Sequence, residues 1–262
     1  MWSKRLSAKF EPAYHAFYDY ESRTRVAEMP VIAKTRRKRP ARATLETKAL
    51  PMQARSRETF DAILNFAAEI LALENSKTFS INAICERSGM TPPAVYRYFP
   101  NKYAVLKALA ERLMQAEDET ALNIMASSPL PRSESDVIDE VRERIENVVA
   151  ITASFPGSVQ ILRALRTTPV MREVRRASTT RVAARWFERL RRIFPDSDPA
   201  RLRRAAWFGL EVSTQLIELI VEGQCRAAGQ QDEAMIEEIA AMLGRYYWQL
   251  GSPEFTASGK DI

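Results

Sequence analysis

The sequence predicts an all-α protein, and three observations support this prediction. From Arg57 to about residue 250, apolar residues recur every three or four positions, which is the spacing of one face of a helix. No segment alternates with a period of two, as a half-buried strand would. The chain has only 8 glycines among its 262 residues. This is few for a β-sandwich with many tight turns or for a glycine-rich phosphate loop.

The composition is that of a globular protein that works in the reduced cytoplasm. Hydrophobic residues make up 46% of the chain and charged residues 27%. No apolar run approaches the roughly 18 residues that a membrane span needs, and the N-terminus lacks the apolar segment of a secretory signal. Cys85 and Cys225 lie too far apart for a zinc motif, and the one histidine, His15, precedes the helical region. We therefore expect no cofactor, no metal and no membrane partner.

Residues 1–54 are predicted to be a basic, flexible extension. Residues 1–59 carry 14 Lys and Arg against 6 Asp and Glu, and four prolines interrupt residues 1–54. Six of the basic side chains lie within residues 34–42. An unstructured cationic segment gains affinity for a polyanion by releasing bound counterions. We therefore expect contact with nucleic acid. The alternatives are a solubilising tail or a translation start at Met52.

The first three predicted helices are short and are separated by recognisable caps. The first runs from Arg57 to near Asn75. Ser80 is placed to cap the second helix, and Gly89 to end it in the left-handed conformation. The third is predicted over residues 92–99, with Thr91 as its cap and a proline at the first helical position, where a missing N–H costs nothing.

Longer helices are predicted for the rest of the chain. Asn101 is placed to cap a helix from residue 102 to about 125, and residues 127–133 form a loop. The further helices are predicted at 134–154, 157–167, 169–194, 199–227 and 231–250.

One stretch of this region is rich in arginine. Residues 163–204 hold 13 arginines against 4 acidic residues. The spacing of Arg172, Arg175, Arg176, Arg189 and Arg192 is that of exposed helix faces. A solvated surface paired with acidic segments is the simpler interpretation. The alternative is that one or two arginines point inward and hold an anionic ligand.

Three short helices with a tight turn between the second and third form a helix-turn-helix. The third is too short to be stable alone, so its neighbours must hold its inner face. Its outer face is then free to enter a DNA major groove. That outer face carries small and hydrogen-bonding side chains, followed by Tyr96 and Arg97.

The segment that carries these helices resembles the DNA-binding region of the TetR family of bacterial transcriptional regulators. The resemblance rests on FSINAICERSGMTPPAVYRYFPNKYAVLKAL, and it extends over about residues 57–117. It implies a DNA-binding domain at 55–117, with the helix-turn-helix at 80–99. A helical ligand-binding and dimerisation domain follows at 118–262.

The resemblance also implies the residues that contact double-stranded DNA. Tyr96, Arg97 and Tyr98 would face the DNA, although Tyr98 alternatively belongs to the core. Pro92 and Pro93 depart from the family pattern, because a proline cannot donate a hydrogen bond to phosphate. The predicted DNA-binding set is Arg55, Arg57, Ser80, Thr91, Pro92, Pro93, Ala94, Tyr96, Arg97, Tyr98 and Lys102.

The resemblance also implies that the remaining helices bind a small-molecule effector and form a homodimer. The helices at 199–227 and 231–250 would pair with those of a second copy in a four-helix bundle, and Leu216 and Ile220 lie on the apolar stripe of the first. The alternative is that both helices complete a core within one chain. An apolar cavity with an arginine suggests an apolar acid as the effector, either a fatty or an aromatic acid, or else an acyl thioester. The predicted lining is Val148, Thr152, Phe155, Leu162, Leu165, Arg166, Trp186 and Trp207.

Two function classes compete with a ligand-responsive repressor that leaves a palindromic operator when an inducer binds. A constitutive DNA-binding or DNA-organising protein would lack the inducer and show weak sequence preference. A helical enzyme would need a nucleophile with its base, or a metal cluster. The predicted helices show neither arrangement, so we predict that the protein is not an enzyme.

Overall fold

The structure is a computed structural model that describes residue 47, residues 54–73 and residues 79–251. Within these residues the secondary structure is helical, with no strand, as the sequence predicts. Residues 1–46, which hold His15 and most of the predicted basic extension, lie outside the described part.

Ten α-helices, α1 to α10, follow one another in the described residues. They are α1 Ala54–Leu73, α2 Ile81–Ser88, α3 Pro92–Tyr96, α4 Lys102–Ser127, α5 Glu134–Ser154, α6 Ser158–Thr167, α7 Pro169–Ile193, α8 Pro199–Val221, α9 Gln224–Ala227 and α10 Asp232–Trp248. A short 3-10 turn, Gln249–Gly251, ends the described part.

The caps predicted from the sequence are confirmed at three positions. The Ser80 side chain accepts a hydrogen bond from the Ala83 backbone N–H, and Gly89 has φ 68°. Asn101 accepts from the backbone N–H groups of Tyr103 and Ala104 at 3.0 Å each. Polar side chains that satisfy free N–H groups fix where a helix begins, so these boundaries follow from local sequence.

Two predicted helices are shorter than expected. α3 ends at Tyr96 rather than Phe99, because the N–H groups of Tyr98 and Phe99 both turn back to the Val95 carbonyl. The helix expected at 199–227 is two helices, since α8 ends at Val221 and Gly223 takes φ 71° before α9. A glycine in that conformation interrupts a helix at little steric cost.

The buried apolar side chains form two clusters. The first joins α1 to α3 with the first half of α4 and continues into α6 through Ile161, Leu162 and Leu165. The second joins the end of α4 with α5, α7, α8 and α10. α4 has 26 residues and belongs to both clusters. The domain boundary predicted near residue 117 therefore falls inside a continuous helix, and the domain limits stay a prediction.

Both cysteines are buried, Cys85 in the first cluster and Cys225 in the second. Burial raises the pKa of each thiol, so both remain protonated and poorly reactive. They pack as small apolar residues.

None of the described helices is by itself long and apolar enough to cross a membrane.

Candidate functional site

Helix α3 is held on the protein by its inner side chains. Val95 and Phe99 are fully buried. The Phe60 ring of α1 stacks on the Phe99 ring, with 4.9 Å between the ring centroids. These contacts fix the orientation of a helix only five residues long, which has no stability of its own.

The opposite side of α3 faces solvent and carries most of the predicted DNA-contacting residues. Thr91, Pro92, Pro93, Tyr96 and Arg97 are exposed, and Ala94 is half-buried. Tyr96 is 43% exposed, which is unusual for a tyrosine that only fills a core. The side chains are small at the start of the helix and larger at its end, so the backbone at the start is accessible. This arrangement can enter a groove and contact base edges.

Tyr98 corrects the predicted set. It is 4% exposed and packs edge-on against Phe60, with 6.0 Å between the ring centroids. Its hydroxyl lies 3.0 Å from the Ser56 hydroxyl of α1. The chain turns at the end of α3, and this turn points Tyr98 into the core instead of toward DNA.

Ser80 and Lys102, both in the predicted DNA-binding set, lie at helix starts. The Ser80 hydroxyl caps α2, and Lys102 Nζ donates to the Phe79 carbonyl oxygen at 3.2 Å. Arg57 is exposed on α1, whereas the side chain of Arg55 lies outside the described part of the structure. Sequence reasoning missed Tyr103, which is 47% exposed beside Lys102. Its position next to the capped start of α4 was the available signal.

A second candidate site lies in the interior, where α4, α5, α7 and α8 meet Leu162 of α6. The cavity there measures about 40 Å³, room for a few water molecules. Its walls combine apolar side chains with buried charges. The lining residues are Glu117, Asp118, Ala121, Arg144, Ile145, Val148, Leu162, Arg175, Ser178, Thr179, Val182, Leu210, Ser213, Thr214, Ile217 and Glu218.

Val148 and Leu162 are the two predicted ligand-binding residues that line this cavity. Thr152 lies behind the wall, where its hydroxyl oxygen is 2.9 Å from a Glu117 carboxylate oxygen and 2.7 Å from the Val148 carbonyl oxygen, so its one hydrogen is shared between the two acceptors. Phe155 and Leu165 pack in or against the first apolar cluster instead. These three are corrections, because helix packing turns their side chains away from the cavity.

The other predicted lining residues are corrected as well. Arg166 lies outside the wall and pairs with Glu218 at 2.7 Å and with Glu222. Trp186 is fully buried behind Arg144, with 4.7 Å between its ring centroid and the guanidinium carbon. Trp207 is 55% exposed on the outer face of α8. Apolar spacing alone does not distinguish a cavity wall from a core or from an exposed face.

Two arginines of the basic stretch point inward, contrary to their predicted exposure. Arg175 lines the cavity and pairs with Glu117 at 3.3 Å and with Glu218 at 2.7 Å. Arg189 is buried and pairs with Glu140 at 2.6 Å. Arg172, Arg176 and Arg192 are exposed, as predicted. The inward arginines are each committed to a protein carboxylate.

Burial raises the pKa of Glu117, and the Arg175 charge and the Thr152 hydrogen bond oppose this effect only in part. A carboxyl group in this position is protonated more easily than one in water. The charge of Glu117 on this wall of the cavity therefore depends on its contact with Arg175.

Arg144, on the opposite wall, was also missed by sequence reasoning. It is 4% exposed, and its Nη2 has no hydrogen-bond partner among the described residues. The same is true of Trp186 Nε1 and Tyr247 Oη beside it. The signal was available, because Arg144 follows Val137 and Val141 at helical spacing and so lies on the buried face of α5.

Family comparisons cover both parts of the described chain. The family model of bacterial regulatory proteins of the tetR family matches residues 63–109. The model of the tetracyclin repressor-like C-terminal domain matches residues 136–246. Together they span more than half of the chain. A comparison with curated proteins gives no match.

Solved structures with the same fold are distant in sequence. A tetR-family transcriptional regulator from Streptomyces coelicolor has a TM-score of 0.54 at 16% identity, covering 77% of this chain and 86% of its own. The fatty acid degradation regulator FadR from Bacillus halodurans has a TM-score of 0.53 at 16% identity, and the match covers 74% of this chain and 96% of that protein. A TetR-like transcriptional regulator from Rhodococcus sp. RHA1 has a TM-score of 0.52 at 15% identity, and the match covers 81% of this chain and 100% of that protein. At these identities the likeness shows the fold alone.

The two family matches agree with the order of features along the chain. The first covers the helices that present the exposed face of α3, and the second covers helices that enclose most of the cavity. Members of this family are DNA-binding transcriptional regulators and are generally not enzymes. The chain belongs to the TetR family of bacterial regulatory proteins.

Proposed function

We propose that this protein is a ligand-responsive repressor, which binds a palindromic operator as a homodimer and leaves it when a small molecule enters the cavity. The observation that carries the proposal is the arrangement of α3. Its inner side chains are fully buried, while Tyr96 and Arg97 stand free on the outside. A rigidly held helix with an exposed polar face is the usual means of reading base edges in the major groove.

Helix α4 supports coupling between the two sites. It begins at Lys102, beside the DNA-reading helices, and contributes Glu117, Asp118 and Ala121 to the cavity wall. At 1.5 Å per residue, Lys102 and Glu117 are about 22 Å apart along one continuous helix. A ligand that tilts α4 at the cavity would therefore move the far end of this helix, and α3 with it.

The outer face of α8 and α10 supports dimerisation. Among the described residues, eight large apolar side chains are exposed, and four lie on these two helices: Trp207, Phe208, Leu219 and Met242. The Phe208 ring meets the Tyr246 ring of α10, so aromatic side chains of the two helices are in contact on this face. A surface of this kind is typical of protein–protein contacts. A second copy of the chain would bury it.

Footprinting of the full chain on DNA upstream of its own gene tests the proposal. We expect a protected palindrome and loss of protection with Arg97→Ala. If Arg97 holds a bidentate base contact, the loss is about 1–3 kcal/mol of binding free energy. Arg172→Ala is the matched control, because Arg172 is exposed on α7, away from α3.

The outcomes separate the competing function classes. Protection that Arg97→Ala does not weaken would remove Arg97 from the interface. Equal weakening on all sequences would assign Arg97 to phosphate contact. Binding without sequence preference would favour a constitutive DNA-organising protein.

A further inference from the structure

We propose that the interior cavity binds a small carboxylic acid with an apolar body, whose carboxylate pairs with Arg144. This inference rests on the proposed function, since it names the chemical class of the effector and the residue that anchors it. It replaces Arg166, the arginine expected from the sequence, which is already committed to Glu218 and Glu222 outside the cavity wall.

The charges around the cavity leave Arg144 as the one cation of the lining without a carboxylate in contact. Arg175 lies between Glu117 and Glu218. Asp118 accepts from Arg181 and from the Ser178 hydroxyl. The structure gives no carboxylate within 4 Å of Arg144 among the described residues.

The carboxylate closest to Arg144 in sequence is engaged elsewhere. Glu140 lies one turn before Arg144 on α5, and its Oε1 is 2.6 Å from Nε of Arg189 while its Oε2 accepts from Nη2 of Arg189. Both oxygens of Glu140 therefore contact Arg189, and neither is paired with Arg144. A buried cation with no carboxylate in contact is costly unless an anion accompanies it.

The groups behind Arg144 orient it without neutralising it. The guanidinium stacks on the Trp186 ring at 4.7 Å, and the Trp186 and Tyr247 rings meet at 5.2 Å. Trp186 Nε1 donates only, and Tyr247 is kept protonated because burial raises the pKa of its hydroxyl. Nη2 of Arg144 has no hydrogen-bond partner among the described residues and can donate to an acceptor. The acceptor that also cancels the charge is a carboxylate.

The rest of the lining indicates a compact apolar body. Ile145, Val148, Leu162, Val182 and Ile217 supply aliphatic surface around the buried charges. The cavity of about 40 Å³ fits little more than the carboxylate group itself. The body of a larger acid would have to displace these side chains, and this displacement is the movement that the helices around the cavity would transmit.

A purely structural role and an anion-binding role for Arg144 predict different unfolding temperatures for the ligand-free Arg144→Met variant. If Arg144 mainly stabilises the fold, Arg144→Met lowers the unfolding temperature of the ligand-free protein. If it is retained for an anion, the same change removes an uncompensated buried charge. The unfolding temperature then stays the same or rises.

The binding experiment uses the purified full chain with acetate, butyrate, benzoate and octanoate, each compared with its neutral amide. We expect at least one acid to raise the unfolding temperature and to give a measurable Kd by calorimetry, while its amide does not. Arg144→Gln should weaken the binding of that acid by about tenfold or more, which is the scale of a charge-assisted hydrogen bond. Arg172→Gln, on an exposed arginine, is the control.

Trp186→Phe tests the positioning role of the stacked ring. It keeps an aromatic face but removes the larger indole, so we expect a smaller preference for the acid over its amide with the fold retained. Failure of all four acids to bind, equal binding of acid and amide, or unchanged acid binding by Arg144→Gln would each overturn the proposal. None of these measurements involves DNA, so they are independent of the footprinting that tests the repressor.

Discussion

Tyr96 and Tyr98 are two residues apart in sequence and have different roles in the structure. Tyr96 is exposed on the outer face of α3, whereas Tyr98 follows the end of the helix and is buried against α1. Both were predicted to face DNA. Residues two apart on a regular helix point about 200° away from each other around the axis, and the turn at the end of α3 keeps Tyr98 on the inner side. The predicted role of each tyrosine can therefore be separated by mutation.

Tyr98→Phe should leave operator affinity unchanged and cost about 0.5–1.5 kcal/mol of stability, because it removes one hydrogen bond to Ser56. Tyr98→Ala should cost about 3–5 kcal/mol by emptying a core position. Tyr96→Ala should show the reverse pattern, with stability retained and DNA binding weakened. Urea unfolding and operator titration of the three variants measure this. Weaker DNA binding by Tyr98→Phe at full stability would contradict the core assignment.

Glu117 should make stability depend on pH in an unusual direction. Its pKa is raised in the folded protein by burial, while the unfolded chain has an ordinary value of about 4.3. Between these two values the folded state binds more protons, so Glu117 makes wild-type stability fall as pH rises. Glu117→Gln does not titrate. The stability of this variant relative to wild type should therefore increase with pH above about 4.3.

Urea unfolding at several pH values from 4 to 8 checks this expectation. Glu119→Gln is the matched control, since Glu119 is an exposed carboxylate on the same helix. A difference between wild type and Glu117→Gln that does not change with pH, or that changes in the opposite direction, would exclude a raised pKa at this position.

At the scale of elements, the junction between α1 and α6 connects the DNA-reading helices to the rest of the molecule. Gly157 precedes α6 with φ 74°. A Cβ at this position would lie 2.7 Å from the Leu71 Cβ and 3.1 Å from the Ala68 carbonyl oxygen of α1. Both the left-handed conformation and the close approach of α1 therefore require glycine here.

Gly157→Ala should destabilise the protein by more than Gly229→Ala. Gly229 has φ 76°, but a Cβ there meets nothing within 4 Å. The left-handed backbone alone costs about 1–2 kcal/mol in each variant. The contact with α1 adds about 1–3 kcal/mol at Gly157 only. Thermal unfolding of both variants tests the difference, and equal losses would show that α1 and α6 are not in tight contact in solution.

At the scale of the whole molecule, the dimer surface differs from the stripe predicted on residues 199–227. Leu216 and Ile220 are buried inside the protomer, so charges there would damage the fold itself. Trp207 and Met242 are exposed, 55% and 48% respectively. They are the residues at which a charge can prevent association without disturbing the core.

Trp207→Glu with Met242→Glu should give a folded monomer. Circular dichroism should show the helical content of wild type, and light scattering should show half the mass. Glu233→Gln with Glu238→Gln, on exposed positions of α10, is the control. A dimer mass that survives the Trp207 and Met242 changes would place the interface elsewhere.

Deleting residues 1–50 should weaken specific and non-specific DNA binding together. Each lost phosphate contact should reduce the slope of log K against log salt by about 0.9 for duplex DNA. Apart from residue 47, the deleted residues lie outside the described part of the structure, so the prediction rests on their six basic side chains at 34–42. Titrations at three salt concentrations compare the two proteins. Superimposable slopes would support a solubilising tail.

The sequence by itself determined the helical fold and most helix boundaries. Ser80, Gly89 and Asn101 act through hydrogen bonds and backbone conformation within a few residues of their own position. The period of the apolar residues fixed which stretches are helical for the same reason, since a helix repeats its own geometry. Local patterns also located the helix-turn-helix and its exposed residues.

Only the tertiary structure decided which apolar stripes form the core, which line the cavity and which remain on the surface. A helical period shows that a face is apolar, but not which helix covers it. Leu216, Trp186 and Trp207 were therefore assigned wrongly, whereas Val148 and Leu162 do lie on the cavity wall and their role in ligand binding stays a prediction. Buried charges depend even more on distant partners. Arg144 and Arg175 lie on different helices, and only their packing shows that one is paired and the other is not.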